Sequence, residues 1–414
     1  MVVYVLDKEG RPLMPTSRNR KVRMMLKEGL CHVERKIPFT IRLDYETTGF
    51  TQDVTLGVDT GTRHIGLSAS TSEKELFSAE VTLRNDITEL LSTRRESRRS
   101  RRHRLRYRKP RFLNRVHSKN KGWLAPSVEN RIDTHLGVMR KIHRILPVTR
   151  VVLEVGSFDT QKLLDDGITG EGYQHGVQYN FWNVREYVLA RDGHKCQCCK
   201  GKSKDLILNV HHIESRKTGG DSPGNLITLC ETCHRKYHNG SLKGFNPVRS
   251  ESLRSAALMS AMKWRLFETA KNEFDDVRIT YGYITKTNRM YFGLPKGHNV
   301  DAYCIAQNFE AERLLYSYKY RQLRKHNRQI HKMKINKGGM RKMNQTPYLL
   351  FGFRLFDKVR YEGRECFVGG RRKRGDFKLV DIDNRLIKDG VSYKKLEFVG
   401  HRESHICSMI GLTI

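Results

Sequence analysis

Apolar and polar residues change period several times along this chain, and the changes predict its elements. Val2–Leu6 alternates as a strand, and Arg11-Pro-Leu-Met-Pro-Thr16 follows as an extended turn, because each proline keeps the residue before it out of the helical region. Val22–Glu28 has helical spacing and stops at Gly29, and Phe39–Tyr45 alternates again. Val54–Val58, Ile65–Ala69 and Leu76–Leu83 predict a three-strand meander that leaves Asp59 at a strand end. From Pro126 the apolar positions Val128, Ile132, Leu136, Met139, Ile142 and Leu146 recur every three to four residues until Pro147, an amphipathic helix. Arg150–Val155 is a buried strand carrying Glu154. Leu253–Phe274 then predicts a long helix, Val277–Ile284 a strand, and Val300–Leu315 a helix with Asp301 in its first turn. Residues 354–400 alternate in short runs split by glycines, which predicts a small β-barrel.

Charge changes this picture most. The 414 residues hold 78 Lys and Arg against 44 Asp and Glu, a net charge of +34, and such a chain calls for a polyanion, of which nucleic acid fits best. The charge is clustered. Residues 94–115 contain eleven arginines, one lysine and a single acid, Glu96, and a helix is allowed up to about Lys109. Arg95, Arg98, Arg99, Arg102 and Arg106 would share one face of it and would repel one another without phosphates to bind. Residues 313–345 carry eleven basic residues and no acid, with Tyr316, Tyr318 and Tyr320 interleaved, a pattern that suits backbone tracking with base stacking. No apolar run is long enough to span a bilayer, and the N-terminus does not resemble an export signal, so a cytosolic protein without a membrane partner is expected.

Two Cys-x-x-Cys pairs, Cys196/Cys199 and Cys230/Cys233, suit a tetrahedral structural zinc site, with Cys198 as an alternative to Cys199. Between the pairs lie His211-His212-Ile213 and Asn225, and His234 and His238 follow the second pair. Adjacent side chains on a strand point to opposite sides, so His211 and His212 cannot share one task. These residues resemble the ββα-metal motif of HNH nucleases. The resemblance implies His212 as general base, His211 and His234 as ligands of one Mg²⁺, and Asn225 as the residue that orients the base. His238, one turn beyond His234, could also ligate, and His234 could instead complete the zinc site.

Asp59, Glu154 and Asp301 each sit at the end of an apolar element, in the order strand, strand, helix. Carboxylates converging in that order can hold two Mg²⁺, and His298 could add a ligand or activate water. Here the chain resembles RuvC-type nucleases, whose RNase H-like core is split by insertions.

A RuvC-like core with an Arg-rich helix after its first segment and an HNH module before its last resembles the transposon-associated IscB family, related to the type II CRISPR effectors. The resemblance reaches from residue 1 to about 312 and includes the Pro-Leu-Met-Pro stretch at 12–15. It implies an α/β fold: an RNase H-like (RuvC) core split by an Arg-rich bridge helix and a zinc-containing HNH insertion, with a small N-terminal domain and a basic, β-rich C-terminal domain. The implied segments are an N-terminal domain over 1–53, RuvC-like segments over 54–93, 121–160 and 246–312, a bridge helix over 94–120, and a linker over 161–180. The HNH domain would span 181–245, a basic nucleic-acid segment 313–345, and a domain reading a motif beside the target 346–414. It also implies a monomeric, RNA-guided endonuclease in a prokaryotic cytosol, associated with the nucleoid when on DNA. Its guide would be an omega RNA gripped by Arg94, Arg95, Arg98, Arg99, Arg101, Arg102, Arg104, Arg106, Arg108 and Arg111. Its HNH site would cut the guide-paired strand of a DNA duplex, and its RuvC-like site the displaced strand. The competing classes are a nuclease acting on bare DNA and a non-enzymatic RNA-binding descendant. The full set of acids and histidines argues against the latter.

Overall fold

A computed structural model describes residues 2–103, 122–155, 181, 183–216, 220–242, 244–250, 254–324 and 347–411. The chain divides into two compact units, residues 86–108 with 158–257, and the remainder.

In the larger unit the first sheet comprises β1 (Val3–Leu6), β2 (Pro12–Thr16), β3 (Cys31–Arg35) and β4 (Thr40–Leu43) in the order β2-β1-β4-β3, with α1 (Asn19–Lys27) crossing between β2 and β3. The proline-rich stretch expected as a turn is thus a strand. It lies at the sheet edge, where a missing N–H costs no ladder bond.

The central sheet has seven strands, β11-β8-β5-β6-β7-β12-β18. Its centre is the predicted meander, β5 (Thr55–Asp59), β6 (His64–Ser70) and β7 (Glu75–Thr82), antiparallel throughout. After α2 (Ile87–His103) and α3 (Pro126–His143), β8 (Arg150–Glu154) joins β5 in parallel. The buried face of α3, including Ile132, Leu136 and Met139, belongs to the same core as Leu56, Val58, Leu67 and Val81 of the sheet. An ionisable group is buried with it. His135 is fully covered, its Nδ1 is bonded to the Arg131 carbonyl at 2.8 Å, its Nε2 has no partner, and burial pushes its pKa down to about 4.

The smaller unit contains α2, α4 (Val184–Arg191), β9 (Leu208–His212), β10 (Leu226–Cys230) and α5 (Glu231–His238). α6 (Arg254–Lys271) follows it in sequence. Arg94, Arg95, Arg98, Arg99, Arg101 and Arg102 lie on α2, whereas Arg104, Arg106, Arg108, Arg111 and the proposed linker lie outside the described residues.

β11 (Asp276–Thr280) pairs in parallel with β8 and is shorter than predicted, because Gly282–Tyr291 forms a helix, α7. α8 (His298–Ala306) also ends early. Gln307 takes a left-handed conformation (φ 61°), and Asn308 anchors the turn by donating to Ser70. The rest of the expected helix leads into β12 (Tyr316–Gln322), parallel to β7. This corrects the reading of the tyrosine tract. Tyr318 is 2% exposed, and Tyr316 and Tyr320 pack on the core, so these rings stack inside the protein, Tyr318 on Phe77 at 5.4 Å.

The expected barrel is an open antiparallel sheet of β13 (Lys358–Tyr361), β14 (Arg364–Arg371), β15 (Asp376–Val380), β16 (Leu386–Ser392) and β17 (Glu397–Gly400), ordered β16-β15-β14-β13-β17. The final strand, β18 (His405–Gly411), returns to the central sheet and pairs with β12, so the last segment is not a separate domain to its end. Among the described residues no helix is long and apolar enough to cross a membrane.

Candidate functional sites

The first site forms where strands end. β5 and β8 run parallel with Val58 opposite Leu153, so Asp59 and Glu154 leave the sheet side by side. α8 lies across this end of β5 and β6, close enough that a Cβ at Gly57 would overlap the Ala302 carbonyl and one at Gly66 the His298 carbonyl. Two glycines therefore let the first turn of α8 bring His298 and Asp301 to the strand ends. His298 donates Nδ1–H to Asp59 at 2.7 Å, a bond that raises the histidine's pKa. Its ring stacks on His64 with centroids 5.0 Å apart, and His64 in turn pairs with Glu80 at 2.9 Å.

Charge is concentrated here. Burial, reinforced by the charges of Asp59 and Asp301, pushes the Glu154 carboxyl up to about 7, against the Thr285 hydroxyl. Burial and Asp59 also raise Asp301, although Arg289 of α7 pairs with it at 2.8 Å. Buried carboxylates that repel one another are a site built for cations. The four predicted residues are thus brought together. Their ligand atoms do not lie within 4.8 Å of one another as a group, and His298 and Arg289 pair with two of the acids.

The second site belongs to the smaller unit. β9 and β10 pair with His211 opposite Ile227 and His212 opposite Leu226, and the alternation sends the two histidines to opposite faces. His211 is buried against α5, with ring centroids 5.2 Å from His234 and 5.0 Å from His238. Nitrogens of all three rings lie within 4.8 Å of one another, and His234 Nε2 and His238 Nε2 are 3.2 Å apart. Burial and the neighbouring imidazoles lower His211 to about 4, and burial also lowers His234, so both are neutral near pH 7 with lone pairs to donate. This donor set fits a divalent cation. His238 belongs to the cluster, and His234 lies with it rather than with the cysteines.

On the opposite face His212 Nε2 bonds Asp221 Oδ1 at 2.8 Å, and Asp221 is held by Arg216 at 2.8 Å. Behind them Asn225 is fully buried. Its Nδ2 donates to the Glu214 carbonyl at 3.0 Å and to the Gly220 carbonyl at 2.9 Å, while its Oδ1 accepts from the Glu214 N–H at 2.9 Å. Asp221 was missed by sequence reasoning; an acid nine residues after a histidine carries no periodic mark.

Cys196, Cys199, Cys230 and Cys233 form a cluster with all sulfurs within 4.8 Å. The set takes Cys199, not Cys198. Cys230 immediately precedes α5 and Cys233 lies in its first turn, where burial and the neighbouring thiols raise the Cys233 pKa. Hydrogen bonding from Ser203 lowers Cys199 to about 6. The arrangement fits a structural zinc ion.

Residues 3–176 match the family described as RRXRR protein, and residues 196–240 match HNH endonuclease. The two matches together support an IscB-like RuvC/HNH nuclease. A stretch of 67 residues, 16% of this IscB-like chain, is 34% identical to anaredoxin of Nostoc sp. (strain PCC 7120 / SAG 25.82 / UTEX 2576) and covers 84% of that protein. Crystal structures of Streptococcus thermophilus Cas9 in complex with the AGAA PAM and with the AGGA PAM match at 13% and 11% identity, each with a TM-score of 0.28 over 45% of this chain. The chain covers 26% of the length of those Cas9 chains.

Proposed function

We propose that this IscB-like nuclease is an RNA-guided endonuclease that cuts both strands of a DNA duplex, each at its own site. The observation that carries the reading is that one chain holds two chemically different candidate sites, a cluster of three histidines on the hairpin-and-helix element that also carries His212, and a set of strand-end carboxylates on the seven-stranded sheet. One site per strand is the economical use of two. The arginines of α2 and the net charge of +34 supply the grip on guide RNA and DNA, and base pairing supplies sequence choice. The partner is an omega RNA, and the sheet of β13–β17 reads a short motif flanking the target. The ribonucleoprotein is a monomer acting in a prokaryotic cytosol.

In the HNH site the Asp221 carboxylate can only accept, so His212 donates Nε2–H and keeps a free lone pair on Nδ1. That lone pair takes the proton of the attacking water. Asn225 fixes the loop behind His212 and so the direction of the ring. A divalent cation held by His211, His234 and His238, and two Mg²⁺ held by Asp59, Glu154 and Asp301, would neutralise charge developing on the phosphate and its leaving oxygen. In the carboxylate site His298, oriented by Asp59, stands ready to move a proton at the reacting water. The HNH site cuts the guide-paired strand and the carboxylate site the displaced one.

RNA sequencing tests the guided part of this reading. The Asp59→Ala/His212→Ala double variant, expressed with its native flanking DNA and purified, should carry one abundant structured RNA with a variable end. Heterogeneous RNA or none, together with cleavage of bare duplex by the parent chain, would replace the guided enzyme with an unguided one.

A further inference from the structure

Helix α7 has two faces with different tasks. Its inner face covers the acids: the Cβ position of Gly282 is 3.2 Å from Glu154 Oε1, Thr285 is buried beside the same carboxyl, and Arg289 pairs with Asp301. The residues on either side of Gly282 are aromatic and point to solvent. Tyr281 is 39% exposed and Tyr283 71%, yet their rings are ordered against each other, 10° from parallel with centroids 6.2 Å apart. Lys286 is exposed one turn further on, and no side chain caps the N-terminus of α7. Two parallel aromatic faces, a lysine and free helix N–H groups therefore stand together beside the carboxylate site.

We propose that Tyr281 and Tyr283 form a base-stacking platform that seats single-stranded DNA in the carboxylate site. The inference rests on that site being the one that cuts a displaced strand. Stacking accepts any base, because every base has a π-face, which suits a site whose substrate sequence is chosen elsewhere. It also favours unpaired DNA, since bases within a duplex are already stacked on one another. Lys286 and the α7 N-terminus are placed to take phosphates of the same strand. The tyrosines touch bases rather than the reacting atoms, so they position the substrate.

The test uses the guide-loaded ribonucleoprotein carrying His212→Ala, so that only the carboxylate site cuts. Tyr281→Ala/Tyr283→Ala should slow displaced-strand cleavage by between about fivefold and about a hundredfold, the range for losing one stacked base, through a higher KM. Tyr281→Phe/Tyr283→Phe should restore the rate. Abasic sites flanking the cut should slow the parent but add nothing to the Ala variant. With His212 intact, cleavage of the guide-paired strand should be unchanged. Equal cleavage by parent and Ala variant, or an equal loss on both strands, overturns the platform. If the parent cuts no displaced strand, the functional reading fails instead. The platform is then decided by 2-aminopurine-labelled oligodeoxythymidylate bound to the full chain, whose fluorescence should be quenched by the wild-type and Phe proteins and not by the Ala protein. Unchanged fluorescence with the wild-type protein overturns it.

Discussion

Asn225→Asp isolates the part of the HNH site that directs the base. The substitution keeps the shape of the side chain and removes its N–H donors. The Glu214 and Gly220 carbonyls, now 3.0 and 2.9 Å from Nδ2, would face an oxygen. Two hydrogen bonds are lost, at about 1 kcal/mol each, and a carboxylate is buried against two carbonyl oxygens, at a further cost of several kcal/mol. The loop cannot stay where it is. It is tied to the base because Ile213, next to His212, donates its N–H to the Asn225 carbonyl, and Asp221 follows Gly220. A shift of about 1 Å in a catalytic group costs roughly a hundredfold in rate. Single-turnover cleavage of a duplex labelled on both strands should therefore show guide-paired-strand cutting slowed about a hundredfold and displaced-strand cutting unchanged, with zinc still bound. Asn225→Ala, which removes the donors without adding charge, should lose about 3 kcal/mol of local stability from its three hydrogen bonds and slow the same strand. An unimpaired rate, or equal loss on both strands, would refute the positioning role.

Three further outcomes follow from the geometry. His135 titrates at about 4 in the folded protein against an ordinary 6.5, so its stabilising contribution is complete above pH 6.5 and is lost as pH falls towards 4. Linkage puts the loss between pH 7 and pH 5 at about 2 kcal/mol, and urea midpoints should show a shallower pH dependence for His135→Gln than for the wild type. An unchanged slope would contradict the buried neutral imidazole. Metal analysis should find zinc retained in Cys198→Ser and lost in Cys199→Ser, with a lower Tm in the second protein alone; the reverse pattern would reassign the fourth ligand. Gly66→Ala drives a methyl into the His298 carbonyl, which is backbone and cannot rotate away. It should destabilise by about 1–3 kcal/mol and depress displaced-strand cleavage well below guide-paired-strand cleavage, and equal rates would mean that α8 does not depend on that close approach.

Local patterns carried much of this account. The period-2 runs around Asp59 and the apolar strand before Glu154 became β5–β8, because half-buried and buried strands leave that mark in their own residues. The cysteine pairs and the adjacent histidines were readable for a similar reason, since metal geometry fixes ligand type and spacing. The losses came where distant contacts decide the outcome. Tyr316, Tyr318 and Tyr320 alternate as a strand should, but their position amid a basic tract drew attention to charge, whereas pairing with β7 and β18 buries them. β3 was missed because its side chains are mostly exposed, and its backbone pairing with β4 is what makes it a strand. The return of β18 to the central sheet, the Asp221 partner of His212, and the approach of Gly282 to Glu154 all depend on which segments meet, which no local period records.

The central claim is that the two sites are separate and strand-specific. A guide-matched duplex, labelled differently on its strands, should be cut by the ribonucleoprotein on both strands. Asp59→Ala should leave a nick in the guide-paired strand only, and His212→Ala a nick in the displaced strand only. Loss of both cuts from either single substitution would contradict the account.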